Sequence, residues 1–202
     1  MNENITLIRR VRIPPPSIAE IAKYARSSVE DSVTRSLAEK CIKELAGRDE
    51  FSVSYRIMPI VVDEASVDTP VGRIESYALA KVLNGCTRVV LFAMTAGVEY
   101  DIYIAKYAKI SPSLAHLASA LGSERAEAIA DAFCSEIESE LSREGWGITP
   151  RFSPGYADLS LDLQTRIFEV LSPQRTVGVY LNASLLMTPS KSVTAIIGVK
   201  EK

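Results

Sequence analysis

The stretch Asn84–Ala105, NGCTRVVLFAMTAGVEYDIYIA, contains the pattern that decides the fold class. Asn84-Gly85 is typical of a tight turn, and the apolar, β-branched run Thr87–Ala93 that follows it predicts a strand buried on both faces. Thr95-Ala96-Gly97 ends this strand, and from Val98 onward the apolar residues return to helical spacing. A buried strand that leads directly into a helix indicates a domain in which helices cover a sheet.

Helical and strand patterns follow one another irregularly along the rest of the chain. Ser17 is a candidate N-cap after three prolines, and Val29–Leu45 repeats apolar residues at four-residue spacing, so a helical N-terminal part is expected over about residues 14–48. Because strict βαβ alternation is absent, we predict an α+β fold: one domain over residues 1–202 with a largely antiparallel, twisted sheet flanked by helices. The predicted sheet strands include Val53–Val62, Val89–Ala93, Val177–Leu181 and Ser192–Val199.

Shorter elements are predicted between these strands. We expect a short strand at Val71–Ile74 and a helix at Ser76–Leu83. A further helix begins at Pro112 and is expected to be interrupted by Gly122, with Ser123 as the N-cap of the helix that follows. After the loop that contains Pro150, Pro154 and Gly155, a last helix is predicted over Leu161–Leu171.

Composition and charge disfavour several classes of protein. The 202 residues include 23 Lys and Arg against 25 Asp and Glu, which gives a formal net charge of −2. The chain has no basic block that would neutralise a phosphate backbone, so nucleic acid is not an expected partner. The apolar stretch at Val89–Val98 is too short to cross a membrane, and the charges in the first residues, MNENITLIRRVR, break the apolar region that a secretory signal needs. We therefore expect a soluble, cytoplasmic protein.

The cysteines and the single histidine do not form a recognisable catalytic or metal-binding pattern. Cys41, Cys86 and Cys134 are widely separated, so neither a disulfide framework nor a CxxC motif can be drawn. His116 lies in an apolar helical run and is interpreted as a structural or surface residue. The glycines do not form a GxGxxG or phosphate-binding loop. We predict no catalytic side chain and no metal site.

The segment Arg151–Tyr156, RFSPGY, combines an arginine, a Pro-Gly corner and an aromatic hydroxyl. Arginine offers a planar and permanently charged set of donors. A Pro-Gly corner exposes backbone donors and acceptors because glycine admits positive φ. Such a loop can hold a small zwitterion. Composition alone leaves two alternatives open: a ligand-binding loop, and an ordinary surface turn with a solvated arginine.

This loop and its surroundings resemble the activation (reactivation) domain of vitamin B12-dependent methionine synthase. The family signature R-x-x-P-G-Y matches Arg151–Tyr156, and a later M-x-P-x-x-S-V pattern matches Met187–Val193. The run GCTRVVLFAMTAGVEYD is similar to the family's strand and Thr-x-Gly turn, here Thr95-Ala96-Gly97. SERAEAIADAF resembles the helix that brings a glutamate to the ligand, which falls on Glu127. The resemblance covers about residues 74–199.

The resemblance implies a site for S-adenosylmethionine (AdoMet) that serves the reductive remethylation of cobalamin. Arg151 would bind the ligand carboxylate, and Glu127 would bind the ligand's ammonium group or another of its donors. Gly155 and Ala157 would present main-chain groups, while Tyr156 would pack on the ligand or donate its hydroxyl. Met187 and the strand after it are interpreted as core rather than ligand contacts. The predicted AdoMet-binding residues are Glu127, Arg151, Pro154, Gly155, Tyr156 and Ala157.

Three departures from the family pattern shape the functional hypothesis. Ser160 replaces a proline of the signature, the family's N-terminal aspartate in a Trp-containing segment has no counterpart, and the cobalamin-binding D-x-H-x-x-G motif is absent. The resemblance therefore implies an accessory module that acts in trans on cobalamin carried by a methyltransferase or corrinoid protein, with a flavodoxin-like or other electron donor, and not a complete methionine synthase.

The alternative hypothesis is a non-catalytic, regulatory or chaperone-like binding module for a corrinoid protein. An enzyme for an unrelated small substrate is disfavoured because no acid, base or metal constellation is recognisable.

Overall fold

The computed structural model describes residues 5–202, along which helices and strands follow one another irregularly. In chain order the elements are β1 (Leu7–Arg12), α1 (Ile18–Tyr24), α2 (Ser32–Leu45), β2 (Glu50–Pro59), β3 (Val61–Val62), β4 (Ser66–Thr69), β5 (Gly72–Glu75), α3 (Tyr77–Val82), β6 (Arg88–Thr95), α4 (Glu99–Tyr107), α5 (Pro112–Ser142), β7 (Trp146–Ile148), α6 (Leu163–Leu171), α7 (Pro173–Thr176), β8 (Tyr180–Leu181), β9 (Met187–Thr188) and β10 (Ser192–Glu201).

The main sheet has five strands in the order β1-β2-β6-β10-β7, and every neighbouring pair is antiparallel. The predicted α+β fold with a largely antiparallel sheet is therefore confirmed. The edge strand β1 was not predicted. Only Val11 of its six residues is buried, and its three arginines hide the alternating apolar pattern that is typical of a strand. Strand β7 was also not predicted, because Gly147 weakens a strand pattern that is only three residues long.

Both faces of the sheet are covered, and successive residues of the central strands point into different layers. On β6, Val90 and Phe92 pack with the long helix α5, where Phe92 lies 5.0 Å from Phe133 between ring centroids. Val89 and Leu91 pack in the opposite layer with residues of α3 and α6. This period of two explains why the whole of Val89–Met94 is buried and reads as one continuous apolar run.

Helix α5 is continuous over 31 residues, so the predicted interruption at Gly122 is wrong. A Cβ atom at Gly122 would lie 2.9 Å from ring carbon Cδ1 of Tyr100, which shows that this glycine permits close packing of α4 on α5. Ser123 is not an N-cap, because its hydroxyl donates instead to the carbonyl of Ser119. No helix among residues 5–202 is long and apolar enough to cross a membrane.

Two of the predicted sheet strands need correction. The segment Val53–Val62 is divided: β2 ends at Pro59 and belongs to the main sheet, whereas β3 pairs with β4 in a separate three-stranded sheet that also contains β5. The predicted strand Val177–Leu181 does not join the main sheet. Only Tyr180–Leu181 is extended, and it forms a two-residue ladder with β9.

Close packing at Gly198 of β10 gives a testable consequence of this arrangement. A Cβ atom there would lie 2.6 Å from both Cys86 Sγ and Leu83 Cδ2, inside the contact distance of real atoms. We expect Gly198→Ala to reduce the free energy of unfolding by about 1–3 kcal/mol because neighbouring elements must shift. Urea unfolding measures the change, and Gly47→Ala, with nothing within 4 Å of the added methyl, is the control. Equal stability of the two variants would contradict the packing.

Candidate functional site

A cleft lies at the outer edge of the main sheet, where α5 and α6 approach from opposite faces. It has a volume of about 460 Å³, which is within the usual range of small-molecule sites. Its wall combines the loop after β7 with α5, α6, β9 and the beginning of β10. The residues that line it are Glu127, Arg151, Phe152, Ser153, Pro154, Tyr156, Gln164, Met187, Ser192, Val193 and Thr194.

The cleft follows from incomplete pairing of β10. Strand β7 pairs with β10 only over Val199–Glu201, and further along the edge Phe152 makes a single bridge to Ile196 with reciprocal N–H···O bonds of 2.8 Å. In antiparallel strands every second residue directs its backbone polar groups to the same side. Thr194, two residues before Ile196, therefore directs its N–H and C=O toward the cleft, where a ligand can meet them.

Arg151 and Glu127 are brought together in this cleft from segments 24 positions apart. The guanidinium Nη2 of Arg151 donates to Glu127 Oε2 at 2.5 Å and lies 3.0 Å from Asp131 Oδ1. Asp131 was not predicted, although it follows Glu127 by one helical turn and so shares its helix face. The other terminal nitrogen, Arg151 Nη1, is buried and has no hydrogen-bond partner among the described residues. One terminal nitrogen of the guanidinium thus binds carboxylates, and the other terminal nitrogen has no partner among residues 5–202.

The RFSPGY loop is shaped by two residues in the left-handed region. Gly155 has φ of +88° and Ala157 has φ of +50°. The N–H of Gly155 donates to the carbonyl of Leu159 at 2.9 Å, which closes the loop. Neither Gly155 nor Ala157 lines the cleft, so their position argues for a role in the shape of the loop. Pro154 and Tyr156 do line it, and Tyr156 is 68% exposed at the rim.

Asp158 ties this loop to the beginning of α3. Its carboxylate accepts hydrogen bonds from the Ser76 hydroxyl at 2.6 Å and from the Tyr77 N–H at 2.7 Å. Ser160, at the departure from the family signature, accepts from the Asp162 N–H at 3.2 Å and so forms the turn that leads into α6. The loop is therefore held at both ends without the expected proline.

The segment that carries the second family motif is anchored to helices on one side of the sheet. Lys191 donates to the hydroxyls of Ser119 and Ser123 on α5, and burial lowers the pKa of its ammonium group. The N–H of Ser190 donates to Asp101 of α4 at 2.7 Å. These bonds locate the turn between β9 and β10 at the cleft.

The interpretation of Met187 and the following strand as core needs a partial correction. Residues 195–199 are buried in the core layers, but Met187, Ser192 and Val193 are only partly buried and line the cleft. The motif Met187–Val193 therefore contributes to the cleft wall, while the strand residues after it fill the core.

Gln164 is a further cleft residue that was not predicted from the sequence. It is 6% exposed, lies in the first turn of α6, and its amide oxygen Oε1 is buried without a hydrogen-bond partner among the described residues. A signal was present in the sequence. Gln164 lies four residues before Phe168 and seven before Leu171, so it is a polar residue on the apolar stripe of an amphipathic helix.

The side chains most often used for nucleophilic or acid–base catalysis are unsuited to it here. Burial raises the pKa of the Cys134 thiol to about 11, so this cysteine is a thiol at neutral pH. His116 does not line the cleft, and its Nε2 lies 3.0 Å from the carbonyl oxygen of Ala25. Residues 5–202 contain no group of three His, Cys, Asp or Glu side chains that could hold a metal ion. The cleft can bind and orient a charged ligand.

The comparisons with known proteins agree with the motif resemblance at the level of fold. No family model matches the sequence, and no curated protein matches it. Among solved structures, the chain is similar to a crystal structure of the MetH reactivation domain bound to AdoHcy, with a TM-score of 0.65 and 15% sequence identity. The match covers 98% of this chain and 81% of that chain. The chain therefore has the α+β fold of a methionine synthase reactivation domain.

Removal of the Asp158 carboxylate tests how the loop is held. Its hydrogen bonds, chiefly the one from Ser76, lower the pKa of Asp158 below its ordinary value of 3.8. A depressed folded-state pKa means that the carboxylate stabilises the fold above pH 3.8 and loses this effect as pH falls through the folded-state pKa. We expect Asp158→Ala to lower Tm by roughly 2–6 °C near neutral pH, with a smaller difference in acid.

Thermal unfolding followed by circular dichroism across this pH range measures the effect of the Asp158 substitution. Asp49→Ala, which removes an exposed carboxylate just before β2, is the control. A difference between wild type and Asp158→Ala that stays constant down to the lowest pH would contradict the assigned hydrogen bonds.

Proposed function

We propose that the cleft binds AdoMet and its demethylated product S-adenosylhomocysteine (AdoHcy). The observation that carries this proposal is the unpaired Nη1 of Arg151 beside the Glu127 carboxylate, in a cleft of suitable volume. An α-amino acid end requires a donor for its carboxylate and an anion for its ammonium group, and this pair supplies both. The fold shared with a reactivation domain that was crystallised with AdoHcy supports the same ligand class.

Within this proposal each predicted residue has a defined task. Arg151 donates from Nη1 to the ligand carboxylate, while Glu127 attracts the ammonium group. Tyr156 packs its exposed ring over the ligand at the rim, and Pro154 forms part of the wall. Gly155 and Ala157 act indirectly, because their positive φ values direct the loop so that Arg151 and Tyr156 face the cleft.

The chemistry that we propose for the module is the remethylation of a cobalamin held by a partner. An electron from a flavodoxin-like or other donor reduces the inactive Co(II) form to Co(I). The methyl group of AdoMet then moves to cobalt: the carbon–sulfur bond breaks, the carbon–cobalt bond forms, and AdoHcy is the leaving product. The chain's own residues bind the ligand and orient its sulfonium group toward the partner, and neither task requires a side-chain acid or base.

The partner that we propose is a cobalamin-dependent methyltransferase or another corrinoid protein, with this module acting in trans. The sequence has one histidine, His116, and it is not preceded by the aspartate of the D-x-H-x-x-G motif. We therefore assign the cobalamin to a partner and not to these 202 residues. Repair must alternate with the partner's own methylation cycle, which favours a modest and partly polar interface over an obligate one.

Substitution of Arg151 is the direct test of ligand binding. A charge-assisted hydrogen bond contributes about 1.5–3 kcal/mol, so Arg151→Ala should weaken AdoMet binding about 10- to 150-fold. The carboxylates of Glu127 and Asp131 would then face the ligand carboxylate without their counter-charge, which adds to the loss. Arg151→Lys should recover only part of the affinity, because an ammonium group lacks the planar donor geometry.

Calorimetric titration of AdoMet into the wild type and the Arg151 variants measures these affinities. Arg143→Ala, which removes an exposed arginine at the end of the same helix α5, is the matched control and should bind like the wild type. Absence of wild-type binding at millimolar AdoMet would reject the ligand and favour the alternative, a regulatory module without methyl transfer.

Association with a corrinoid protein tests the in-trans assignment separately. When the module, AdoMet and a reductant are mixed with a corrinoid protein in its Co(II) state, we expect a weak complex and conversion of the Co(II) absorption spectrum to that of methylcobalt. AdoMet labelled in its methyl group should transfer the label to the corrinoid. A module that binds AdoMet but forms no complex and transfers no label would contradict this partner class.

A further inference from the structure

Gln164 is a buried polar side chain whose hydrogen-bonding capacity the fold leaves unused. Only 6% of its surface is exposed, and its amide oxygen Oε1 has no partner among residues 5–202. The neighbouring buried positions of α6, including Leu163, Ile167 and Leu171, are apolar and fill the core. A buried amide oxygen without a partner destabilises a protein relative to an apolar group of similar shape, so its presence on this stripe points to a use in binding.

The cleft wall that contains Gln164 combines charged and apolar side chains. The charged groups of the cleft wall belong to Arg151 and Glu127, whereas the wall also includes the largely apolar side chains of Phe152, Met187 and Val193. An ammonium group is attracted more strongly by a carboxylate than by a neutral amide. The amide of Gln164 is therefore matched to an uncharged donor on a flat, largely apolar group.

We propose that Gln164 recognises the adenine of the ligand, with Oε1 accepting a hydrogen bond from the 6-amino group. This inference rests on the proposed AdoMet and AdoHcy binding and adds the residue that determines base specificity. Adenine carries an exocyclic amine next to ring-nitrogen acceptors, and a glutamine amide can complement both with its oxygen and its NH₂ group. The apolar wall accommodates the ring, while Arg151 and Glu127 hold the amino-acid end.

A double-mutant cycle between protein and ligand tests this contact. Calorimetric titrations measure AdoHcy, and an AdoHcy analogue whose purine lacks the 6-amino group, against the wild type and Gln164→Met. The substitution Gln164→Met alone, or the loss of the 6-amino group alone, should weaken binding about 3- to 10-fold. Gln164→Met should bind the two ligands equally within about twofold, because the hydrogen bond to the 6-amino group is already absent in this variant. Gln174→Met, an exposed glutamine of α7, is the control and should keep the wild-type preference.

A third ligand distinguishes the two ends of AdoHcy. An analogue without the α-amino group should bind the wild type and Gln164→Met with independent, additive losses, since we assign that group to Glu127. If the effect of Gln164→Met were instead coupled to the α-amino group, the adenine assignment would be overturned.

The Tm of the ligand-free protein distinguishes a binding role of Gln164 from a purely structural role. Gln164→Met removes a buried unpaired oxygen and should leave Tm unchanged or raise it, whereas a structural role predicts a lower Tm with unchanged affinity.

A comparison of two ligands on the wild type separates the failure of this inference from the failure of the proposed function. If the wild type binds AdoHcy and the analogue without the 6-amino group equally, the inference fails while the proposed function stands. If the wild type binds neither ligand, both fail.

Discussion

The antiparallel ladder between β6 and β10 is the constraint on which the rest of the structure depends. Val90 pairs with Ile197 toward one apolar layer, and Leu91 pairs with Ile196 toward the other. Because both faces are buried, a slip by one residue would exchange the two apolar sets and disrupt the packing of helices on both sides. This register also determines which residues of β10 reach the outer edge of the sheet, and so where the cleft wall lies.

The cleft combines a rigid strand with an edge that the protein does not complete. Strand β10 is paired with β6 over Ser192–Val199, yet on its other side β7 covers only the last residues and Phe152 adds a single bridge. The open edge carries backbone groups whose direction is set by the ladder, and the Arg151 guanidinium lies beside it. Such preorganised polar groups suit a binding site, because they need little rearrangement when a ligand binds.

Local patterns in the sequence were reliable where one physical effect dominated. The run Thr87–Ala93 could be interpreted as a buried strand because residues covered on both faces are all apolar. The predicted interruption of the helix at Gly122 was wrong. Glycine has a low helix propensity, but here close packing against Tyr100 requires a residue without a side chain. The segment Val177–Leu181 was assigned to the wrong sheet, since strand propensity does not specify a pairing partner.

The sequence by itself determined the class of fold, through the buried strand at Thr87–Ala93 and the irregular order of helices and strands. It also determined the residue types of the RFSPGY loop and of the Met187–Val193 motif, because each is a short, contiguous segment. Only the tertiary structure decided which of these polar atoms find partners within the protein. Asp131 joins Glu127 at Arg151 Nη2 while Nη1 has no hydrogen-bond partner among the described residues, and α6 brings Gln164 into the wall of the same cleft. These outcomes depend on how α5, α6 and the edge of β10 pack. Local sequence patterns do not specify them, because they depend on distances between segments that are far apart in the sequence.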